Sequence, residues 1–275
     1  MKLSAASEID SLKTFKDIEN FLVEKVNKDL KKYTIFKDIK RDTSKYCKNS
    51  FVKIDLDNNG LNDLVVNGNY FFAVIDEGNK SYSLHLIDRS GYSADKYTLS
   101  NIIYIDQTPL LLVKNYYEFK TMQNTNLKDD TLIYKYGGFI EYNSSPDTLM
   151  IEKIRLTTFS FNTAYLIEIT VKKNRKVKIK SLENPGILNY CHSIDKSVYS
   201  NLIAIINYLK LASIKDHYKY FMPGAKTIRL EIKYNKGTIK KIEDYGGHGT
   251  FGLELLYKQL FAIDKKIEAT ANKKI

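Results

Sequence analysis

The hydrophobic positions of the first half of the chain change from a helical to an alternating pattern. Residues 14–32 repeat apolar side chains at helical spacing and predict one amphipathic helix, with this stripe: Ile18, Phe21, Leu22, Val26 and Leu30. Thr14 followed by Asp17 is typical of an N-terminal helix cap. Short alternating runs separated by Asn, Gly and Asp then predict a mainly antiparallel sheet, with strands near 51–54, 70–76, 82–87, 102–105, 110–117 and 132–142.

The second half repeats the alternating pattern but inserts two helices. Its runs predict the order βββαββα, with strands at 151–159, 164–171, 175–181, 227–234 and 238–245 and helices at 195–212 and 250–268. A polar turn cluster at 143–147 separates the halves. The pattern therefore predicts an α+β protein of two domains, 1–147 and 148–275, each an antiparallel sheet with helices packed on one face.

Charge separates the same two halves. Residues 1–150 contain 20 basic and 21 acidic side chains, whereas residues 151–275 contain 23 and 11. The net charges are therefore −1 and +12, so an acidic partner is expected to be attracted to the second half. No run of 18 apolar residues occurs, which predicts no transmembrane segment.

The segment 55–64 reads DLDNNGLNDL and is the strongest local motif. Oxygen ligands at its alternate positions, with Gly60 at the turn, suit a hard cation such as Ca²⁺. The candidate ligands are Asp55, Asp57, Asn59 and Asp63 through their side chains and Leu61 through its carbonyl. Val66 stands where an EF-hand needs Glu, and the segment instead resembles the calcium loops of FG-GAP modules. The alternative is a turn whose carboxylates cap backbone amides without metal, and any bound Ca²⁺ is expected to be structural.

A basic run from 172 to 180 is the candidate partner-binding surface. Alternation places its lysines on one face of a half-buried strand, and the candidate residues are Lys172, Lys173, Arg175, Lys176, Lys178 and Lys180. Such a surface protects a sheet edge or binds an acidic protein or an anionic envelope polymer. Nucleic acid is less expected, because the tyrosines do not interleave with these cations as a stacking platform.

Few other residues indicate chemistry. The Gly246–Thr250 loop is either a tight strand-to-helix connection or an anion site in which His248 acts beside Asp244 and Glu243. His85 alternates with two leucines and is expected on the solvent face of its strand. Cys47 and Cys191 are expected to be buried thiols or, in an oxidising compartment, one long-range bridge.

The second half resembles an uncharacterised bacterial family that is catalogued as a domain of unknown function. The resemblance covers about residues 150–269 and is carried by YGGFIEY at 136–142, IRLTT at 154–158 and KIEDYGGHGT at 241–250. Many members are secreted proteins or lipoproteins, and the resemblance implies no catalytic activity. The paired cysteines that members often have after the first strand are missing from Phe159–Ala164, so no role of that pair is carried over.

These features favour a non-catalytic extracytoplasmic binding protein of the periplasm or cell surface, with a structural calcium loop. An immunity or inhibitor protein that binds an acidic toxin surface is the alternative, and an enzyme using His248 is a third. Residues 1–7 have one Lys and no apolar stretch, so no signal peptide is predicted there. A cytoplasmic location therefore remains an alternative, and the sequence leaves the oligomeric state open.

Overall fold

A computed structural model describes residues 7–33, 35, 50–88, 95–117, 129–159, 166–181, 189–219 and 224–272. The chain divides into two compact units, Met1–Tyr142 and Asn143–Ile275. Antiparallel sheets dominate both units and helices are few, which confirms the predicted α+β class. Among the described residues, no helix has both the length and the apolar character needed to span a membrane.

The first unit contains two four-stranded sheets, where the sequence predicted one. The first sheet has strands β1 (Phe51–Ile54), β2 (Asp63–Asn67), β3 (Phe71–Asp76) and β4 (Tyr82–Leu86). The second has β5 (Asp95–Ile105), β6 (Thr108–Tyr117), β7 (Asp130–Lys135) and β8 (Gly138–Glu141). Each sheet pairs its strands in chain order and antiparallel. The run at 132–142 is a hairpin because Tyr136 and Gly137 both adopt positive φ and reverse the chain.

The helix predicted over 14–32 is broken into three segments. α1 (Phe15–Phe21) begins at the predicted cap, where Thr14 accepts the N–H of Asp17 at 3.1 Å. A π-helical turn (Leu22–Val26) and a 3₁₀ helix (Lys28–Lys32) follow. Asn27 separates them because its backbone is extended and its side chain caps the N–H of Asp29 at 2.9 Å. The segment still buries its stripe against β2 and β3, through Ile18, Phe21, Leu22, Leu64, Val66, Phe72 and Val74.

Asn67 and His85 connect the two sheets of the first unit. The buried Asn67 side-chain oxygen accepts the Leu99 N–H at 3.1 Å and the Thr98 hydroxyl at 3.0 Å. The His85 ring packs edge-on against Tyr134, with centroids 5.1 Å apart. The predicted solvent position of His85 is therefore wrong. Its neighbours Leu84 and Leu86 are the exposed side chains of β4, because the second sheet supplies a packing partner on the side where alternation predicted solvent.

The second unit is one seven-stranded sheet with two helices. Its strands are β9 (Ile151–Phe159), β10 (Ile167–Lys172), β11 (Lys176–Ser181), β12 (Asn189–Ser193), β13 (His217–Tyr218), β14 (Thr227–Tyr234) and β15 (Thr238–Tyr245). The helices are α2 (Lys196–Tyr208) and α3 (Phe251–Asn272). The sheet order is β12-β11-β10-β9-β14-β15-β13. The predicted order βββαββα thus gains two short strands, β12 and β13, and β13 pairs with β15 in parallel.

The two faces of this sheet differ in character. One face buries alternate apolar residues together with the apolar stripes of α2 and α3, including Ile154, Leu156, Leu230, Leu202 and Leu256. The opposite face, here called the open face, presents exposed or half-exposed charged residues from β9, β10, β11, β14 and β15. This division follows from the period of two along each strand, and it places the charged residues of five strands on one surface.

Candidate functional site

The loop between β1 and β2 brings its acidic side chains together. Asp55, Asp57 and Asp63 each offer an oxygen atom, and these three atoms all lie within 4.8 Å of one another. Positive φ at Asn58 and Gly60 wraps the loop. Carboxylates at this spacing form a donor set that fits a hard cation such as Ca²⁺. We call residues 55–63 the acidic loop.

The same carboxylates also accept backbone N–H groups within the loop. Asp55 accepts the Gly60 N–H at 2.8 Å. Asp63 accepts the N–H groups of Leu56 at 2.7 Å and Asp76 at 2.8 Å. Asn59 accepts the Leu61 N–H through its side-chain oxygen at 2.7 Å. The geometry is therefore compatible with both sequence interpretations, the metal loop and the bare turn, and the calcium ligands stay a prediction.

Burial makes ionisation of the Asp63 carboxyl in this loop unfavourable. Asp63 is completely buried. Burial raises the pKa of its carboxyl to about 7, helped by the nearby carboxylates of Asp57 and Asp55 and opposed by the two backbone N–H groups. Burial likewise raises the pKa of Asp57. A bound cation would favour the ionised forms and remove this cost.

A small cavity borders the acidic loop. Its volume is about 360 Å³, and its lining includes Asp57, Asn58 and the β7–β8 turn. Tyr134 lines the cavity, and burial with the nearby Asp57 charge raises the pKa of its hydroxyl to about 12. This hydroxyl lies 3.2 Å from His85 Nε2, which Ser83 Oγ also approaches at 3.0 Å. Both hydroxyls share one ring nitrogen, so this group links β4 to β7 through polar contacts.

The predicted partner-binding residues occupy one corner of the open face. Lys176, Lys178 and Lys180 alternate along β11 with the buried Val177 and Ile179. The other three surround the turn into this strand: Lys172 ends β10, and Lys173 and Arg175 lie in the turn itself. The structure therefore brings all six side chains to one region of the second unit.

Two further lysines extend this surface and were not predicted from the sequence. Lys153 on β9 is paired in register with Lys172 on one side and with Lys233 of β14 on the other. Val171 faces Val177 in the β10–β11 hairpin, so Lys176 stands in the position opposite Lys172. These lysines form a line across four neighbouring strands, which we call the lysine row: Lys153, Lys172, Lys176 and Lys233. Alternation within 151–159 and 227–234 indicated which face of the sheet Lys153 and Lys233 occupy. The sequence did not indicate that β9 pairs with β14, which brings the two lysines together.

Nearby carboxylates neutralise only part of the positive charge of the lysine row. Lys153 lies 3.9 Å from Glu231, and Lys233 lies 3.6 Å from Glu152. Both contacts are partly exposed, and such pairs contribute little to stability. In the part of the chain that the structure describes, the side chains of Lys172, Lys176 and Lys178 have no carboxylate within ion-pairing distance. The row therefore carries an excess of positive charge.

The groove on the other part of the open face is balanced in charge. A groove of about 890 Å³ crosses it, and its lining contains four cations and four carboxylates: Arg155, Arg229, Lys240, Lys241, Glu168, Asp216, Glu231 and Glu243. Arg155 is bound to Glu168 at 2.6 Å and Arg229 to Glu243 at 2.7 Å. The Arg229 guanidinium also stacks over Phe159, 4.4 Å from the ring centre. Positive charge is thus concentrated at the lysine row and not in this groove.

The Gly246–Thr250 loop is a tightly packed connection between β15 and α3. The buried Asp244 carboxylate accepts the Gly249 N–H at 2.9 Å, and Thr250 caps the helix by accepting the Leu253 N–H at 3.1 Å. Burial raises the pKa of Asp244 and also that of the neighbouring Tyr257 hydroxyl. Nδ1 of His248 lies 3.6 Å from the Glu254 carboxylate. Asp244 therefore holds the loop in place before α3 by accepting the Gly249 N–H.

Cys191 is not buried as the sequence predicted. Cys191 is an exposed free thiol on the edge strand β12, so the expectation that it is buried is wrong. The error arises because β12 was not predicted, and Cys191 stands opposite Lys178 on the open face. Cys47 lies outside the described residues.

Comparison with known proteins finds one similarity, in the second unit. Neither the curated proteins nor the solved structures contain a match to the chain. Residues 157–264, from β9 to α3, match the model of a family described as a domain of unknown function (DUF6438). The second half is thus similar to a domain of unknown function, as the sequence motifs indicated.

Proposed function

We propose that this chain is a non-catalytic binding protein of the periplasm or cell surface that binds an acidic partner on the open face of its second unit. The observation that carries the proposal is the lysine row, an unbalanced line of cations on an exposed sheet face. The neighbouring Lys178, Lys180, Lys173 and Arg175 enlarge the same basic surface. Such a surface attracts an anionic partner over a Debye length and orients it on approach.

The non-catalytic part of the proposal is supported by the carboxylates around His248. Glu243 is occupied by Arg229 at 2.7 Å, and Asp244 is occupied by the N–H of Gly249. Both residues were the candidate partners of an enzymatic His248. Their hydrogen bonds hold the sheet and the start of α3, which favours a connecting role for this loop.

We further propose that the acidic loop holds Ca²⁺ as a structural ion in the first unit. Asp55, Asp57, Asn59 and Asp63 would supply side-chain oxygens and Leu61 its carbonyl. The ion would neutralise carboxylates that are otherwise crowded and partly buried. Loops of this kind often bind at the calcium concentrations found outside the cytoplasm, which agrees with the proposed location.

Retention on immobilised heparin, a sulfated polyanion, tests the binding proposal. We expect the variant Lys176→Glu/Lys178→Glu/Lys180→Glu to elute at clearly lower salt than the wild type. The matched control, Lys16→Glu/Lys28→Glu/Lys31→Glu, changes exposed lysines of the first unit and alters the net charge equally. It should elute closer to the wild type. Equal loss of retention in both variants would show that heparin responds only to total charge, and the proposal would fail.

A further inference from the structure

We propose that the occupant of the lysine row is a linear phosphate polymer that crosses the strands of the second unit. This inference rests on the proposed function and specifies the partner of the same face. It is carried by the geometry of the row, by the charges beside it and by the kind of cation that forms it.

The row has the shape of a linear binding site. Its four lysines belong to adjacent strands β11, β10, β9 and β14. Neighbouring strands are about 4.8 Å apart, so the row is roughly 14 Å long and perpendicular to the strands. Lys173 lies in the turn beside it and lines the same surface depression of about 650 Å³ with Lys153, Lys172 and Lys233. A chain with regularly repeated negative charges can therefore contact several ammonium groups at once.

The charges beside the row favour a line over a plane. In the next rows of the same face, Arg155 pairs in register with Glu231, and Arg229 with Glu243. Glu168 adds a further carboxylate. On β9, β14 and β15 these carboxylates neutralise the arginines, so a flat anionic surface, such as a membrane or a broad acidic protein face, would meet little net positive charge there. A single extended polyanion that follows the lysine row contacts the excess charge along its whole length.

The lysines of the row suit phosphate groups. The planar fork of arginine holds a carboxylate or a phosphate in one fixed orientation, whereas a lysine ammonium is a point charge that phosphate oxygens can approach from many directions. The strand arginines of this face, Arg155 and Arg229, are already bound to Glu168 and Glu243 of the protein itself. The cations left for a partner along the row are lysines, which a phosphate chain can contact without a fixed orientation.

The register of the row is unfavourable without a ligand. Lys153 faces Lys172 and Lys233 directly across two strand pairs, and like charges in such positions repel. The ion pairs to Glu231 and Glu152 compensate only part of this repulsion because they are long and partly exposed. A bound polyanion would supply the missing negative charge along the whole row.

Fluorescence anisotropy with labelled inorganic polyphosphate tests this inference, with labelled poly-L-glutamate as the carboxylate probe. The row variant is Lys153→Gln/Lys233→Gln. The matched control, Lys196→Gln/Lys210→Gln, removes two exposed charges of the second unit at the two ends of α2, outside the basic surface. We expect the row variant to weaken polyphosphate binding about tenfold and to flatten its salt dependence, with a much smaller effect of the control. The wild type should bind polyphosphate more tightly than poly-L-glutamate.

Three results would overturn the inference. If poly-L-glutamate binds as tightly as polyphosphate, the partner is an acidic polypeptide and the proposed function stands. If both double variants weaken binding equally, the row is not the site. If the wild type does not bind polyphosphate, no phosphate polymer is recognised, and heparin retention then decides the proposed function separately. Should Lys153→Gln/Lys233→Gln not fold, the exposed pair Lys172→Gln/Lys176→Gln replaces it with the same expected tenfold loss, about 1.4 kcal/mol.

Discussion

Lys153 stands directly opposite Lys233 in the antiparallel pairing of β9 with β14. Lys172 faces Lys153 from the other side, so three lysines occupy facing positions across three strands. The Glu152 carboxylate lies 3.6 Å from the Lys233 ammonium, and the Glu231 carboxylate lies 3.9 Å from that of Lys153. These two carboxylates leave the line with excess positive charge. A sheet face built this way loses some stability but presents a concentrated positive surface to a partner.

Removing one charge from this line should therefore stabilise the free protein. We expect Lys172→Glu to raise the free energy of unfolding of the second unit by about 0.2–1 kcal/mol, because the new carboxylate would face Lys153. Denaturant unfolding at low salt measures this change. Lys178→Glu serves as the control, since Lys178 faces Thr170 and Cys191 and no cation. A destabilised Lys172→Glu protein would argue against repulsion along the row.

Calcium should stabilise the first unit. At about 100 times its dissociation constant, Ca²⁺ that binds only the folded state adds about 2.7 kcal/mol. Thermal melts in EDTA and in excess Ca²⁺ should show this gain in the wild type and no gain in Asp57→Ala. Asp29→Ala, which removes an exposed carboxylate outside the acidic loop, should keep the gain. A wild-type melt that does not respond to Ca²⁺ would leave the acidic loop as a bare turn.

Without metal, Asp63 should make the first unit less stable as the pH rises. The pKa of its carboxyl is raised from 3.8 to about 7 in the folded state, so the folded protein holds the proton more tightly than the unfolded chain. The free energy of unfolding should therefore fall between about pH 4 and pH 7, by up to about 4 kcal/mol, and stay level above. Unfolding in EDTA across this range measures the effect.

The control for this titration is Asp63→Asn, which keeps the shape of the side chain and cannot ionise. Its unfolding free energy should lack the Asp63 component of the pH dependence, whatever its absolute stability. Saturating Ca²⁺ should also reduce the fall in the wild type, since the ion favours the ionised carboxylate. An identical pH dependence in Asp63→Asn and the wild type would exclude Asp63 as the titrating group.

Gly249 should tolerate no side chain. A Cβ atom at this position would lie 2.8 Å from Asp244 Oδ2 and 2.8 Å from the Tyr218 ring. We expect Gly249→Ala to destabilise the second unit by about 1–3 kcal/mol, because the buried carboxylate and the ring must both move. The melting temperature of the variant tests this packing. An unchanged value would mean that the loop and β13 adapt without cost.

The local pattern of apolar and polar residues predicted the regular strands correctly, but it did not predict where a helix or a strand is interrupted. β9, β14 and β15 have the predicted bounds because apolar and polar residues alternate along them, and turns that contain Gly237 and Gly246 follow β14 and β15. The helix over 14–32 breaks at Asn27, whose side chain competes for backbone amides. The spacing of apolar residues does not reveal such a competition. It also predicted one strand over 132–142, where β7 and β8 are separated by the turn at Tyr136 and Gly137.

The candidate site depends on pairings that are distant in sequence. The six basic residues from 172 to 180 belong to one local hairpin, so the sequence could indicate their shared surface. The lysine row also needs β14 beside β9, a pairing between residues about 75 positions apart. His85 illustrates the same limit, because its packing partner on that side of β4 is Tyr134 of the second sheet of the first unit.

Acetylation footprinting of lysines in the wild-type chain, with and without heparin, tests the central claim most directly. Mass spectrometry then reports the modification rate of each lysine. If an acidic partner binds on the open face, heparin should protect Lys153, Lys172, Lys176 and Lys233 and leave Lys16, Lys28 and Lys31 at their free rates. Equal protection of both groups, or protection confined to the first unit, would contradict the account.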